Sequence, residues 1–205
     1  MDGEFQALVE RARALSSCHI SDGMDRVGLA RGGLVGIRAL EPVGMAVGEA
    51  FTVSLKPVGE VERFTGDYFD HLLSGQMVML ANEGRVHCSV WGGNRSLTTI
   101  KKGGVGAVAD GAYRDVPEHR LLGLPVFGLQ PTSMASVGVV VPYQVNEVVE
   151  MRGVRVEPGD LVAGDASGVV VVPRHRAAEV IGAAEELAEA EVELAEEIRR
   201  MAASH

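Results

Sequence analysis

An arginine and an aspartate stand side by side shortly after an apolar run, and together they could hold a small anion and a metal ion. Residues 106–109 are followed by the turn-forming pair Asp110-Gly111, after which come Arg114 and Asp115. A guanidinium binds carboxylates and phosphates, whereas a carboxylate suits a hard divalent cation. The pair therefore predicts a site for an anionic substrate and a metal. A purely structural interpretation, with Asp115 as a helix cap and Arg114 paired with a surface acid, stays open from this segment alone.

The elements predicted around this pair explain how it would be positioned. Residues 105–109 are small and partly β-branched with glycines at both ends, as in a buried strand. Residues 115–122 predict a helix, with Asp115 as its N-cap and Glu118 at the capping-box position. Arg114 and Asp115 thus fall in a strand-to-helix loop, where open α/β sheets usually bind ligands.

A second loop, Gly92-Gly93-Asn94-Arg95, opens a predicted helix over residues 95–102. Backbone N–H groups at a helix start have no partner within the helix, and the helix dipole favours negative charge there. A carboxylate or phosphate would fit, although close backbone packing is the commoner reason for two adjacent glycines. Because both loops border the same predicted strand, the functional interpretation gains support.

An ordered series of motifs extends from about residue 15 to about residue 180. These are Ile20-Ser-Asp-Gly-Met-Asp-Arg-Val-Gly28, Gly48-Glu-Ala-Phe-Thr52, the loop at Gly92, Asp110-Gly-Ala-Tyr-Arg-Asp115, Leu124-Pro-Val-Phe127, and Pro158-Gly-Asp160 through Asp165-Ala-Ser-Gly-Val-Val-Val-Val-Pro173. In this series the chain resembles the RraA-like family. That family includes the 4-hydroxy-4-methyl-2-oxoglutarate aldolases and the regulator of ribonuclease E activity.

The resemblance implies roles for the two loops. In the family's aldolases the loop matching residues 92–95 holds the substrate carboxylate through backbone N–H groups, Arg114 contacts a small 2-oxo acid, and Asp115 binds a divalent cation. The implied cofactor is Mg²⁺ or Mn²⁺, which would stabilise the pyruvate enolate left when a carbon–carbon bond breaks. Arg114 would add fixed positive charge there. Retro-aldol cleavage and oxaloacetate decarboxylation give the same enolate.

Two departures from the family pattern affect proton transfer and substrate binding. The aldolases usually carry an acid where this chain has Gly93, and its loss should slow proton transfer by ~10²–10⁴ unless another group substitutes. The sequence leaves that group open among Glu49, Asp67, His71 and a glutamate of the last helix of a neighbouring subunit. Arg95 stands where leucine is common, and either pairs with a second substrate carboxylate or extends to water.

The sequence therefore predicts a metal-dependent carbon–carbon lyase acting on a 2-oxo acid, with an altered proton-handling part. One alternative is a non-catalytic, protein-binding regulator of the ribonuclease E type, and another is a repurposed member with a non-standard substrate. Methyl transfer is a third, because relatives carry the label demethylmenaquinone methyltransferase. The glycine cluster at 103–106 argues against it, since it precedes its strand instead of following one.

Composition bounds these interpretations. The chain has 205 residues, 46% of them hydrophobic, which is enough for one buried core. A net charge of −9 argues against nucleic-acid binding. The N-terminus lacks a signal-peptide pattern and no apolar run is long enough to span a membrane, so a cytoplasmic protein is expected. Cys18 and Cys88 are expected to be small buried hydrophobes.

The expected fold class is α/β. The resemblance implies a β-barrel-like core flanked by helices, similar to the swivelling phosphohistidine-type ββα fold, and a ring-like homo-oligomer, typically a trimer. Residues 1–173 would form this domain, and residues 174–205 a C-terminal helix, spanning 174–203, packed on it or on a neighbouring subunit. Other helices are predicted at 4–16, 21–28 and 65–73. Strands are predicted at 46–55, 76–81, 105–109, 125–128, 137–141, 154–156, 160–164 and 168–172, the last three antiparallel.

Overall fold

A computed structural model describes residues 3–41 and 43–202 of the chain. The helices are α1 (Gly3–Ala12), α2 (Ser17–Arg26), α3 (Gly93–Lys101), α4 (Val116–Leu122) and α5 (Ala177–Ala202), with short 3-10 helices at Tyr68–His71 and Arg174–Arg176. The strands are β1 (Arg38–Ala39), β2 (Ala46–Pro57), β3 (Gln76–Ala81), β4 (Ser89–Trp91), β5 (Gly106–Ala109), β6 (Ala112–Tyr113), β7 (Val126–Gly128), β8 (Gln130–Pro131), β9 (Val140–Val145), β10 (Val149–Met151), β11 (Val154–Val156), β12 (Leu161–Asp165) and β13 (Gly168–Val172).

The main sheet combines a parallel centre with antiparallel flanks. Strands β2, β3, β5 and β7 are parallel neighbours, and β12 and β13 continue the sheet in antiparallel fashion beyond β2. Strand β1 pairs with β7, and the far half of β2 pairs with β9. The sheet curves into a nearly closed, barrel-like core with helices outside it, which confirms the expected α/β class and the antiparallel pairing near residues 160–172.

The central strands are buried on both faces, which explains their continuous apolar sequences. All residues of β3 and β5 are buried, as parallel strands covered on both sides require. On one face Phe51, Leu80 and Trp91 belong to a common cluster, and on the other Met79 and Phe127 do. The barrel interior is therefore a packed core, so ligand chemistry must take place at its rim.

A second, small sheet lies at that rim and has no counterpart in the predicted strands. Strands β4, β6 and β8 are parallel, with Ser89 opposite Ala112 and Trp91 opposite Tyr113. Each strand has only two or three residues, too few to show a hydrophobic period. This sheet positions both loops singled out in the sequence.

The first two helices are divided differently from the prediction. Ser16 caps α2, because its hydroxyl accepts a hydrogen bond from the His19 N–H at 3.1 Å while its own N–H donates to His19 Nδ1 at 3.2 Å. The first helix therefore ends at Ala12 instead of residue 16, and the second begins at Ser17 instead of residue 21. Cys18, on the exposed side of α2, corrects the expectation that both cysteines are buried; Cys88 is buried.

Two other predicted elements are shorter or shifted. The helix predicted at 65–73 is only a 3-10 turn, Tyr68–His71, which begins after Asp67 accepts a hydrogen bond from the Phe69 N–H at 3.0 Å. The strand predicted at 137–141 is the strand Val140–Val145, which reaches further along β2. A local cap thus limits the helix, whereas pairing with β2 sets the bounds of the strand.

The C-terminal helix packs on the domain through its first half. Val180, Ile181 and Ala184 are buried, whereas Ile198 and Met201 are more than half exposed. The last predicted helical residue, Ala203, lies outside the described residues. Among the helices of the described ranges, α5 included, none has both the length and the apolar character needed to cross a membrane. Packing of the second half on a neighbouring subunit, and the trimer, stay predictions.

Candidate active site

The two predicted loops leave neighbouring strands at the same edge of the small sheet. Gly92 follows β4, and Arg114 follows β6. The Arg114 N–H donates to the Trp91 carbonyl at 3.0 Å, which continues the ladder between the two strands. Because the carboxyl ends of parallel strands meet at one edge, the structure brings the glycine loop and the Arg114-Asp115 pair together.

The Asp115 side chain does not cap the helix that it precedes. Asp115 occupies the N-cap position of α4 in a left-handed conformation, with φ 61° and ψ 38°, and its side chain makes no capping hydrogen bond. Instead its Oδ2 accepts the Gly93 N–H at 2.9 Å and lies 3.4 Å from Arg114 Nε. The predicted capping box is therefore wrong. A left-handed backbone is uncommon for a residue with a side chain and is often found at functional sites.

Both glycines of the loop make room for a carboxylate. Gly92 has an extended backbone that any residue could adopt, but a Cβ on it would lie 2.7 Å from Asp115 Oδ2 and 3.3 Å from Arg114 Nε. A Cβ on Gly93 would overlap the carboxylate of Glu118, with Oε1 at 2.6 Å and Cδ and Oε2 closer still. Each glycine is thus matched to one acid from the start of α4.

The site is open to a small ligand. The side chains of Arg114 and Asp115 are 42% and 35% exposed, and they line a cavity of about 190 Å³ with the loop residues. The Gly93 N–H is already used by Asp115, so a substrate carboxylate would meet other donors of the loop and Arg114. Within the described ranges both Asp115 contacts use Oδ2, which leaves Oδ1 open to a ligand.

Arg95 and Asn94 lie between this cavity and a second one of about 530 Å³. Arg95 Nη1 donates to the Val90 carbonyl at 2.7 Å, and its guanidinium lies 5.8 Å from the centre of the Tyr68 ring. The side chain is therefore fixed against the protein instead of extending freely to water. Burial raises the pKa of Tyr68 to about 12, so this phenol stays protonated at neutral pH.

A buried polar chain ties the elements of the site together. Trp91 Nε1 donates to Ser96 Oγ at 2.8 Å, and Ser96 Oγ lies 3.1 Å from His119 Nδ1. Burial lowers the pKa of His119, although the Arg114 carbonyl and the charges of Asp115 and Glu118 oppose this effect. A neutral imidazole can accept the serine proton at Nδ1. The chain links β4, α3 and α4, and nothing in the sequence analysis predicted it.

Of the groups proposed as substitutes at Gly93, Glu49 and His71 contact other parts of the chain, whereas Asp67 lines the cavity of about 530 Å³ together with Asn94 and Arg95 and stays a candidate. Glu49 forms an ion pair with Arg174, beside a separate cavity of about 910 Å³ against α1. Asp67 caps the 3-10 helix, and the His71 ring stacks edge-on against Phe64 at 5.7 Å. A glutamate from a neighbouring subunit stays a prediction.

A side chain at position 93 would first meet atoms of Glu118, a residue that the sequence assigned to a capping box. A signal was available, because Asp115 and Glu118 have the i, i+3 spacing that puts side chains on one helix face.

The oxygen donors among the described residues suit a hard cation that takes few ligands from the protein. No cluster of three or more His, Cys, Asp or Glu side chains that could hold a metal occurs within residues 3–41 and 43–202. Mg²⁺ does not need one, because it binds through one or two carboxylates and keeps several waters beside the oxygens of its substrate. Asp115, with Oδ1 open, offers such a carboxylate; a structural zinc site would need four ligands.

Comparison with known proteins identifies the class. A family model for RraA-like proteins, described as Aldolase/RraA, matches residues 17–171. The chain therefore belongs to the RraA-like family.

Three relatives show the range of that family. The chain is 31% identical over 181 residues to Protein DlpA of Legionella pneumophila, covering 85% of this chain but only 29% of DlpA. It is 28% identical over 152 residues to a putative 4-hydroxy-4-methyl-2-oxoglutarate aldolase of Burkholderia mallei. This alignment covers 66% of this chain and 84% of the Burkholderia protein. Streptomyces coelicolor RraAS2, described as an unusual member of the RNase ES inhibitor RraA protein family, superposes with a TM-score of 0.80 at 29% identity over 98% of both chains. The relatives of this chain thus include proteins named as putative aldolases and a member of a ribonuclease inhibitor family.

Proposed function

We propose that this protein is a divalent-metal-dependent lyase that breaks a carbon–carbon bond of a small 2-oxo acid. The observation that carries the proposal is the Asp115 carboxylate, which leaves its own helix uncapped and turns to the glycine loop beside Arg114. Asp is among the preferred N-cap residues, yet this side chain does not cap α4 and leaves one oxygen open beside Arg114. The aldolase name of the Burkholderia relative supports the same reaction class.

Each residue of the site then has a role. Asp115 would hold Mg²⁺ or Mn²⁺, and the loop at residues 92–95 with Arg114 would bind the carboxylate end of the substrate. When bound, the cation supplies Lewis-acid stabilisation of the charge that develops on the keto oxygen. Arg114 adds fixed positive charge at the place where the pyruvate enolate forms.

The substrate class follows from this enolate. Retro-aldol cleavage of a 4-hydroxy-2-oxo acid and decarboxylation of oxaloacetate both leave pyruvate enolate, so one site serves both. The name of the Burkholderia relative favours 4-hydroxy-4-methyl-2-oxoglutarate, whereas the altered residues Gly93 and Arg95 favour a non-standard member of the same class.

Asp115→Asn tests the proposal. The wild-type protein with Mg²⁺ or Mn²⁺ should release pyruvate from 4-hydroxy-4-methyl-2-oxoglutarate or oxaloacetate, and the variant should lose at least ~10² in kcat/KM. Mn²⁺ binding, followed by electron paramagnetic resonance, should weaken in parallel. Asp22→Asn, at an exposed position of α2, is the matched control and should change neither quantity. Metal-independent turnover, or full activity of Asp115→Asn, would contradict the proposal.

A second candidate is a protein-binding regulator without catalysis. The similarity to RraAS2 over 98% of both chains favours it. In that case a ribonuclease of the RNase E type should bind the wild type and Asp115→Asn with equal affinity, and neither should show metal-dependent turnover.

A further inference from the structure

The Glu118 carboxylate occupies a position that capping does not explain. In a capping box it would accept the Asp115 N–H, but no such hydrogen bond forms. Nor does an ion pair engage this carboxylate in the described part of the chain. It lies instead against Gly93, where a Cβ would be 2.6 Å from Oε1 and nearer to Oε2.

Space, and not backbone conformation, accounts for the glycine at position 93. Gly93 is absent from the residues with positive φ, so an L-residue could adopt its conformation. What a side chain would displace is the end of Glu118, which is flexible. The glycine therefore permits Glu118 to reach the loop.

The two acids at the start of α4 are held differently. Asp115 lies against Gly92 and is fixed by the Gly93 N–H at 2.9 Å and by Arg114 at 3.4 Å. Glu118 lies against Gly93, one residue further along the loop, and has no such partner among the described residues. The Asp115 carboxylate is thus held in place beside Arg114, whereas the Glu118 carboxylate makes no hydrogen bond or ion pair within residues 3–41 and 43–202.

We propose that Glu118 is the proton-transfer residue of this site, an inference that rests on the proposed function. In retro-aldol cleavage Glu118 removes the proton of the hydroxyl on C4. The C3–C4 bond then breaks, its electrons pass into the pyruvate enolate, and the C4 oxygen becomes a carbonyl. Glu118 returns the proton to C3, which gives pyruvate and regenerates the carboxylate.

The two reactions of the site depend on this proton in different ways. Aldol cleavage cannot begin until the hydroxyl is deprotonated. Decarboxylation of oxaloacetate releases CO₂ without an initial deprotonation, and water can protonate the enolate afterwards. Loss of the base should therefore slow cleavage much more than decarboxylation, a difference that a general structural defect would not produce.

Glu118→Gln is the direct test, with Mg²⁺ or Mn²⁺ present. We expect kcat for cleavage of 4-hydroxy-4-methyl-2-oxoglutarate to fall by ~10²–10⁴ and that for oxaloacetate decarboxylation by less than about tenfold. Mn²⁺ affinity, measured by electron paramagnetic resonance, should stay within about threefold, because Asp115 holds the ion in this scheme. Glu150→Gln, an exposed glutamate on β10, is the control and should change none of the three.

Two further variants change the position of the acid at the loop. Gly93→Ala should push the Glu118 carboxylate out of the loop and reproduce the selective loss of cleavage. Gly93→Asp combined with Glu118→Gln places an acid on the other side of the same space and should restore cleavage at least about tenfold over Glu118→Gln alone. Equal losses in both reactions, or no loss in Glu118→Gln, overturn the assignment.

The proposed function and the role of Glu118 can be refuted separately. If the wild type turns over neither substrate with either metal, the proposed function fails and the role of Glu118 falls with it. If the wild type is active and Asp115→Asn is not, but Glu118→Gln cleaves normally, only the role of Glu118 is refuted.

Discussion

Two aspartates of this fold lie beside the start of a helix, and the protein uses them in opposite ways. Asp165, at the end of β12, accepts the Ser17 N–H at 2.8 Å through Oδ2, and through Oδ1 the Ser17 hydroxyl at 2.7 Å and the Ser167 N–H at 2.8 Å. Asp115 uses one oxygen only and leaves α4 uncapped. A carboxylate whose two oxygens both accept hydrogen bonds fixes an element, whereas one with an open oxygen is available to a ligand.

The surroundings of Asp165 support this contrast. Burial alone would raise the pKa of its carboxyl, but hydrogen bonds from Ser17, Ser167 and Gly168 outweigh it and lower the pKa below its usual value. The ionised form is thus the one that the fold stabilises. Asp165 anchors α2, and through α2 it anchors the first half of α5, far along the chain from the candidate site.

The largest effect on stability is expected at Asp165. Asp165→Ala should lower the free energy of unfolding by about 3 kcal/mol, because charge-assisted hydrogen bonds to both oxygens are lost. Asp115→Asn should cost less than about 1 kcal/mol, since a single partly exposed hydrogen bond weakens. Urea unfolding followed by circular dichroism measures both. A greater loss in Asp115→Asn than in Asp165→Ala would remove the distinction between anchor and ligand site.

A smaller effect on stability is expected in the buried hydrogen-bonded chain of Trp91, Ser96 and His119. Ser96→Ala should cost about 2 kcal/mol, because it leaves Trp91 Nε1 and His119 Nδ1 buried without a partner. Thr98→Ala on the same helix removes a hydroxyl that bonds only to the exposed Asn94 carbonyl, and should cost no more than about 0.5 kcal/mol. Equal losses of unfolding free energy in the two variants would show that these buried hydrogen bonds contribute no more to stability than an exposed one.

The smallest effect is the pH dependence of stability. The contributions of His119, at the candidate site, and of Asp165 are expected to change in different pH ranges. Since burial lowers the pKa of His119, the unfolded chain binds more protons below its ordinary pKa of 6.5, and stability should fall with acidity there. Between pH 7.5 and 5.5 stability should fall, and the part of the fall assigned to His119 should be absent in His119→Gln, seen as a shallower slope of unfolding free energy against pH. Asp165 has a lowered pKa, so its contribution is present above pH 3.8 and disappears only below it. An unchanged slope in His119→Gln would argue against a neutral, buried imidazole.

The long elements could be predicted from the sequence because burial gives them a clear pattern. The strand at 76–81 and the strand at 168–172 have the predicted bounds, and the helix predicted at 95–102 begins two residues earlier. The strands that form the site could not be predicted in this way. β4 and β6 have two or three residues each and exist because they pair with each other across the chain.

At the candidate site, sequence reasoning failed where a local motif competed with a tertiary contact. Asp115 and Glu118 have the spacing of a capping box, and the local rule assigns them to one. In the folded chain the loop at Gly92 and Gly93 approaches the same two side chains, which contact the loop instead of capping α4. That approach depends on β4 and β6 being neighbours, which no window around residue 115 contains.

The overlap between Gly93 and Glu118 couples two positions that are 25 residues apart in the sequence. One volume can hold a side chain from the loop or the end of a side chain from α4, but not both. Relatives with a bulky residue in the loop should therefore carry a shorter or redirected residue in the helix, and the two columns of a family alignment should vary together. An apparently missing acid in one motif then becomes a reason to look at the element facing it.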